Sequence, residues 1–200
     1  MLVSVGVLLL LLLLLLPSTS LPRDKRKAPR VLCTGGLKQV ALGFLLWANE
    51  HENKLPMEVS VSAGGSREDA LAGNLLPNYL VVANQISDPR VLLCPVDKKR
   101  KQATTFANLT TANISYFLNV DAAAQNQSHI LAGDRDISTN GSPVRSGMLS
   151  IPDPSAADWA SILHMKGGNL ALVDGSVHQV TKMQLRTLLT TGLTNRLIIP

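Results

Sequence analysis

His164 and the pair Asp174-Gly175 occur in the run HMKGGNLALVDGSVHQV (164–180), with nine residues between the histidine and the aspartate. A histidine and an aspartate at such a spacing suit three chemistries. They can share a metal, work as a catalytic base with its orienting acid, or clamp backbone around a turn. Asp134 and Asp136 in GDRD (133–136) offer further oxygens for a cation. Calcium, however, takes oxygen ligands rather than imidazole. No Gly-x-Ser-x-Gly nucleophile elbow is present. His51 and His129 stand alone, and neither belongs to a His-Glu-x-x-His pattern. His178 reads as an exposed residue on a strand returning from the turn. The structural reading is therefore preferred, with no catalytic, cofactor or metal role assigned. In it the His164 ring bonds backbone ahead of a hairpin, Asp174 caps turn amides, and Gly175 supplies backbone freedom. GDRD reads as a solvated turn.

Two cysteines, Cys33 and Cys94, are too far apart in sequence for a zinc knuckle. They remain open between one disulfide and two free thiols, because sequence does not give their separation in space. Pairing would stabilise an exported domain by up to ~4 kcal/mol on the chain-entropy model.

The elements that must position these residues follow from patterning. Residues 2–16 carry no charge and Leu8 to Leu16 are all leucine. This run is short for a bilayer-spanning helix and long enough for a signal-peptide core, with Ser18-Thr19-Ser20 as a cleavage site. Segment 1–22 is thus an anchor or signal-like segment, 23–29 a basic linker, and 30–200 the globular head. The basic runs Arg23–Arg30 and Lys98–Lys101 contain no aromatic residue, which argues against nucleic acid as a partner. Leu37, Val40, Ala41, Phe44 and Ala48 recur at helical spacing and predict an amphipathic helix over 30–53, ended by Asn53 and Pro56. Pro17, Pro22 and Pro29 are expected to break the chain ahead of it. Segments 67–76 and 77–86 suit short helices, and VLLCPVD (91–97) a buried apolar stub. Residues 113–120 and 129–137 suit paired strands, and 138–155 reads as loop. Residues 169–173 and 176–180 form a hairpin about Asp174-Gly175. Residues 181–191 form a short helix capped by Thr181 and ended by Gly192, and NRLIIP an extended tail.

Three passages together resemble type IV pilin-like pseudopilins of the kind common in Verrucomicrobia and Planctomycetes. CTGGLKQVALGFLLWANEHENKLP (33–56) is similar to their helix-to-loop passage. VLLCPVD, NISYFLNVDA and ILAGDRDI are similar to their middle. His164 with Asp174-Gly175 matches their C-terminal His-x9-Asp-Gly, prepilin-processing-associated signature. The resemblance implies an α+β, pilin-like fold. A long N-terminal helix would pack on an antiparallel sheet, followed by a C-terminal hairpin and short helix. It also implies a non-enzymatic subunit of a type II secretion or related system, anchored in the inner membrane with its head in the periplasm. Its partners would be other pseudopilin subunits, met through the N-terminal helix. The alternative is a secreted or anchored binding module cleaved near Ser20. The family's leader carries a Gly-Phe-Thr-Leu-Ile-Glu-like motif. Here Val7 follows Gly6, and Leu11 stands where the glutamate belongs. The expectation is a start upstream of Met1 or a degenerate member.

Overall fold

Cys33, Leu37, Val40, Ala41, Phe44, Trp47 and Ala48 fall on one face of a helix, and every one of them is buried. That helix, α1 (Lys27–Glu50), opens the computed structural model, which describes residues 27–160, 163–165, 167–191 and 196–200. The apolar segment 1–22, most of the basic linker and Gly192 lie outside the described residues. Burying each large aliphatic or aromatic side chain of this stripe stabilises by about 1.5–3 kcal/mol. Packing thus offsets the weak propensity of its glycines. One of them, Gly43, serves a close approach: a Cβ there would sit 2.6 Å from Ile86 Cγ1.

The helix limits differ from the expected 30–53. Pro29 lies inside the first turn, where its missing N–H removes no intrahelical bond. At the other end the N–H groups of His51 and Asn53 both donate to Ala48 O, at 3.0 and 2.9 Å. Glu52 and Asn53 each take φ of 55°, so 51–53 is a left-handed closing turn rather than helix. By length and composition Val31–Glu50 is apolar enough to cross a bilayer, with a mean hydropathy of 1.4. Yet 44% of that window is buried inside the head, as for a core helix.

Three short helices follow: α2 (Arg67–Leu71), α3 (Leu75–Val81) and α4 (Ala83–Ile86). The strands are β1 (Tyr116–Asn119), β2 (Ile130–Asp134), β3 (Ile137–Thr139), β4 (Ser142–Pro143), β5 (Gly147–Ser150), β6 (Ala157–Trp159), β7 (Gly167–Leu172), β8 (Val177–Thr181) and β9 (Arg196–Ile199). Helix α5 (Lys182–Thr191) lies between the last two. The larger sheet runs β5-β9-β1-β2-β7-β8 and is antiparallel throughout; the smaller runs β4-β3-β6. The fold is α+β.

Residues 113–120 and 129–137 pair as the sequence predicts, with Tyr116 opposite Asp134 and Leu118 opposite Ala132. Two other readings are corrected. Residues 138–155 are not simply loop: β3, β4 and β5 run through them. Asn140 and Gly141 take φ of 49° and 76° and form the two-residue connection between β3 and β4. NRLIIP is not a tail. Its residues 196–199 form β9, an inner strand between β5 and β1, with Leu197, Ile198 and Ile199 buried.

Alternate residues of the larger sheet feed two cores. Leu118, Ala132, Ala171 and Ile198 join the stripe of α1. Phe117, Ile130, Leu170, Leu172, Leu197 and Ile199 join Leu185 and Leu189 of α5 and Trp159 of the smaller sheet. The sheet is therefore a middle layer. Helix α5 begins with a capping box. Thr181 N donates to Gln184 Oε1 at 2.9 Å, and Gln184 N returns to Thr181 Oγ1 at 3.5 Å.

Candidate functional site

Helix α1 places Cys33 on its buried face. The 3₁₀ turn Pro89–Leu92 delivers Cys94 to the same depth two residues later. The two are joined as a disulfide, with Cα atoms 4.9 Å apart and neither residue exposed. Tyr116 Oη donates to Cys33 O at 3.2 Å, and Tyr79 Oη donates to Tyr116 O at 3.2 Å. Burial pushes both phenols above their ordinary pKa, and the Asp134 charge adds to the rise at Tyr116.

His164 meets this disulfide from the other side. Its backbone bridges to Gly167, with Gly167 N donating to His164 O at 2.9 Å, just as β7 begins. Its ring is buried, and Nε2 lies 3.5 Å from Cys94 Sγ and 3.4 Å from Asp134 Oδ2. A disulfide sulfur has no proton, and an ionised carboxylate only accepts. A proton on Nε2 would let the ring donate to either neighbour. Asp134, at the end of β2, accepts from Asn169 N at 2.7 Å and from Asn169 Nδ2 at 2.9 Å through the same oxygen. Thr34 Oγ1 of α1 donates to Asn169 Oδ1 at 3.3 Å. Asp136 accepts the Leu163 amide at 2.9 Å. Helix, central strands and the approach to β7 thus converge on one buried polar cluster.

Asp174 is not part of it. Strand β7 separates His164 from the turn, and six residues at a strand's rise span roughly 20 Å. The two ends of the His-x9-Asp-Gly pattern cannot share a ligand at that distance. Asp174 Oδ1 accepts from Ser176 N at 2.8 Å, and bonding to the Ser176 hydroxyl and amide lowers its pKa. The turn is not the two-residue one read from Asp174-Gly175. It runs from Val173 to Ser176, closed by Gly175 N donating to Leu172 O and Leu172 N donating to Ser176 O. Only Gly175 has positive φ, at 81°, and its Cα faces Leu45 of α1.

The solvated-turn reading of GDRD is overturned, because Asp134, Arg135 and Asp136 are all buried. The two aspartates take backbone amides from 163–169, and Arg135 forks onto Asp97. Its Nε donates to Oδ2 at 2.6 Å and its Nη2 to Oδ1 at 2.8 Å. Asp97 and Asn169 were not visible as members of any site in the sequence. The one available signal was a lone asparagine inside an otherwise apolar run, which a buried strand tolerates only when its amide is satisfied. The other histidines sit elsewhere. His51 stacks on Trp47 with ring centroids 3.6 Å apart, and His178 Nε2 lies 2.8 Å from Ser176 Oγ. His129 contributes backbone bonds to Asn126 and Val173.

Comparison of the chain with family models, with curated proteins and with solved structures returns no match. Chemically, the cluster offers two sulfurs, one imidazole nitrogen and one carboxylate oxygen in a volume screened from water.

Proposed function

We propose that this chain is a non-enzymatic, pilin-like pseudopilin subunit of a type II secretion or related filament system. Its apolar first segment sits in the inner membrane, and its head faces the periplasm. The observation that carries the reading is the division of labour on α1. One face is spent on the sheet, while Val31, Leu32, Leu42 and Leu46 stay 43–63% exposed on the rest of the helix. Val31, Gly35, Leu42 and Leu46 fall close to one line along the axis, and a Cβ added at Gly35 would meet nothing within 4 Å. An unpartnered apolar line on a helix that follows a leucine-rich run in the sequence suits helix-to-helix contact with other subunits. The oxidised Cys33–Cys94 pair fits an oxidising compartment.

The test is membrane fractionation and in-cell crosslinking of the full chain, beside a Leu42→Glu/Leu46→Glu variant. The wild type should fractionate with membranes and give a ladder of crosslinked subunits. The variant should keep the same circular dichroism and lose the ladder. Recovery of the wild type as a soluble monomer would sink the reading. The alternative, a secreted binding module released after Ser20, shares the disulfide. N-terminal sequencing separates them: a mature start at Leu21 means release, an intact leucine run means anchoring.

A further inference from the structure

We propose that reduction of the Cys33–Cys94 disulfide turns the buried cluster into a site for a divalent metal of the zinc type. Cys33 Sγ, Cys94 Sγ and His164 Nε2 would be its ligands. The candidate ligand atoms of the two cysteines and the histidine all lie within 4.8 Å of one another, and all three residues are buried.

The distances fit. With zinc–sulfur bonds of about 2.3 Å and zinc–nitrogen bonds of about 2.0–2.1 Å, a tetrahedral site places sulfur and nitrogen about 3.6 Å apart. The observed separation is 3.5 Å for Cys94 Sγ to His164 Nε2, and Asp134 Oδ2 lies 3.4 Å from the same nitrogen as its outer neighbour. A purely structural disulfide has no use for an imidazole nitrogen 3.5 Å from one of its sulfurs. Apolar neighbours would surround it without the desolvation penalty of a buried charge. Two sulfurs with an imidazole favour zinc over magnesium or calcium. Asn169 and Thr34 supply the outer hydrogen bonds that hold the carboxylate in place.

The step balances with a dithiol reductant. One thiolate of the dithiol attacks a cystine sulfur and breaks the S–S bond, and its second thiol then resolves the mixed disulfide. Two electrons and two protons pass to Cys33 and Cys94, and the reductant leaves as its own disulfide. Metal binding then releases both thiol protons, and the neutral His164 ring coordinates through Nε2 as the tautomer with its single proton on Nδ1. A groove of about 440 Å³ is lined by Leu32, Gly36, Leu93 and Pro95, neighbours of the two buried cysteines, and is the side from which a reductant would reach them once the head opens locally.

The experiment uses the full chain in detergent, reduced with excess dithiol under argon, freed of reductant and titrated with Co²⁺, then Zn²⁺. The reduced protein should bind one equivalent of Co²⁺, with thiolate-to-metal charge transfer and tetrahedral d–d bands, and one equivalent of Zn²⁺ should displace it. The oxidised protein should bind none. Cys94→Ser should lose the two-thiolate spectrum, and His164→Ala should bind at least tenfold more weakly. Should His164→Ala fail to fold, His164→Cys replaces it: the site should persist with stronger sulfur-to-metal absorption. Folded, reduced protein that takes up no Co²⁺ overturns the proposal. So does uptake unchanged by His164→Ala, or a His164→Cys spectrum identical to wild type. If reduction alone unfolds the head, Zn²⁺ must restore the native near-UV spectrum. A chain that stays unfolded with Zn²⁺ is equally decisive against it. None of these outcomes depends on whether the chain assembles into a filament.

Discussion

Asp97 is 3% exposed and holds four donors, two from Arg135, one from the Ser115 hydroxyl at 3.0 Å and one from the Lys99 amide at 3.3 Å. Desolvation pushes its carboxyl up, but the Arg135 hydrogen bonds and charge outweigh it, and the pKa ends below the ordinary carboxylate value. Arg135 is held above its own ordinary value, first by the same bonds. Such a pair is best read through its removal. Asp97→Asn leaves a buried guanidinium without its counter-charge and should cost about 3–5 kcal/mol, seen as a lower urea midpoint. Replacing both partners by apolar residues, Asp97→Leu with Arg135→Met, should recover most of that loss, since a buried ion pair contributes little over good packing. A double variant no more stable than the single one would show that the pair also organises its surroundings. At this scale the sequence was half legible. His164, Cys33, Cys94 and Asp134 stand out by type alone. Asp97 and Asn169 do not, because their importance arises from partners 38 and 35 residues away.

The turn joining β7 to β8 is a contact as well as a connection. Leu45 of α1 lies 3.0 Å from where a Gly175 Cβ would stand, and the backbone there has φ of 81°. Gly175→Ala therefore meets two obstacles, a left-handed conformation and a tight neighbour. It should destabilise by about 1–2 kcal/mol, read as a lower urea midpoint at unchanged slope. Gly175→Asn, which tolerates the left-handed region, should cost less; equal losses would point to Leu45 rather than φ as the cause. Elements with a strong local signature were readable. The apolar stripe gave α1, a run of strand-forming residues gave β1 and β2, and Thr181 marked the start of α5. Elements whose identity depends on distant partners were not. Strand β9 has only four residues and becomes recognisable through pairing with β1 and β5 on either side. The Asn140-Gly141 turn carried its usual hairpin signal but sat among enough Gly, Ser and Pro to read as loop. The second face of the sheet was missed for the same reason: helix α5 and the small sheet supply its cover from separate parts of the chain.

Over the whole molecule, the ionisable groups whose pKa values the fold shifts set the pH range in which the head is stable. Asp97 and Asp158 have lowered pKa values. In each, burial works upward and is outweighed by the partner's bond and charge, Arg135 for the first and Lys182 for the second. Glu68, on the surface, is pulled down to about 2 by the Val61 amide and the Ser60 hydroxyl. A carboxyl lowered in the folded state contributes stability that is complete above its unfolded value, about 4, and is lost as pH falls through the folded value. Tyr79 and Tyr116 have the opposite sign. Burial raises them, so their contribution is complete below the unfolded phenol value, about 10, and is lost as pH climbs toward the folded one. The net charge of +5 at pH 7 grows in acid as carboxylates are neutralised, and self-repulsion adds to the acid arm. The melting temperature should therefore be level between about pH 4 and 10 and fall on both sides. Asp97→Asn should lower the plateau and flatten the acid arm, because the group responsible for part of that slope has gone. A thermal melt series followed by circular dichroism checks both features. An acid slope equally steep in the Asp97→Asn variant would place the sensitivity in other carboxylates and remove the Asp97–Arg135 pair as its cause.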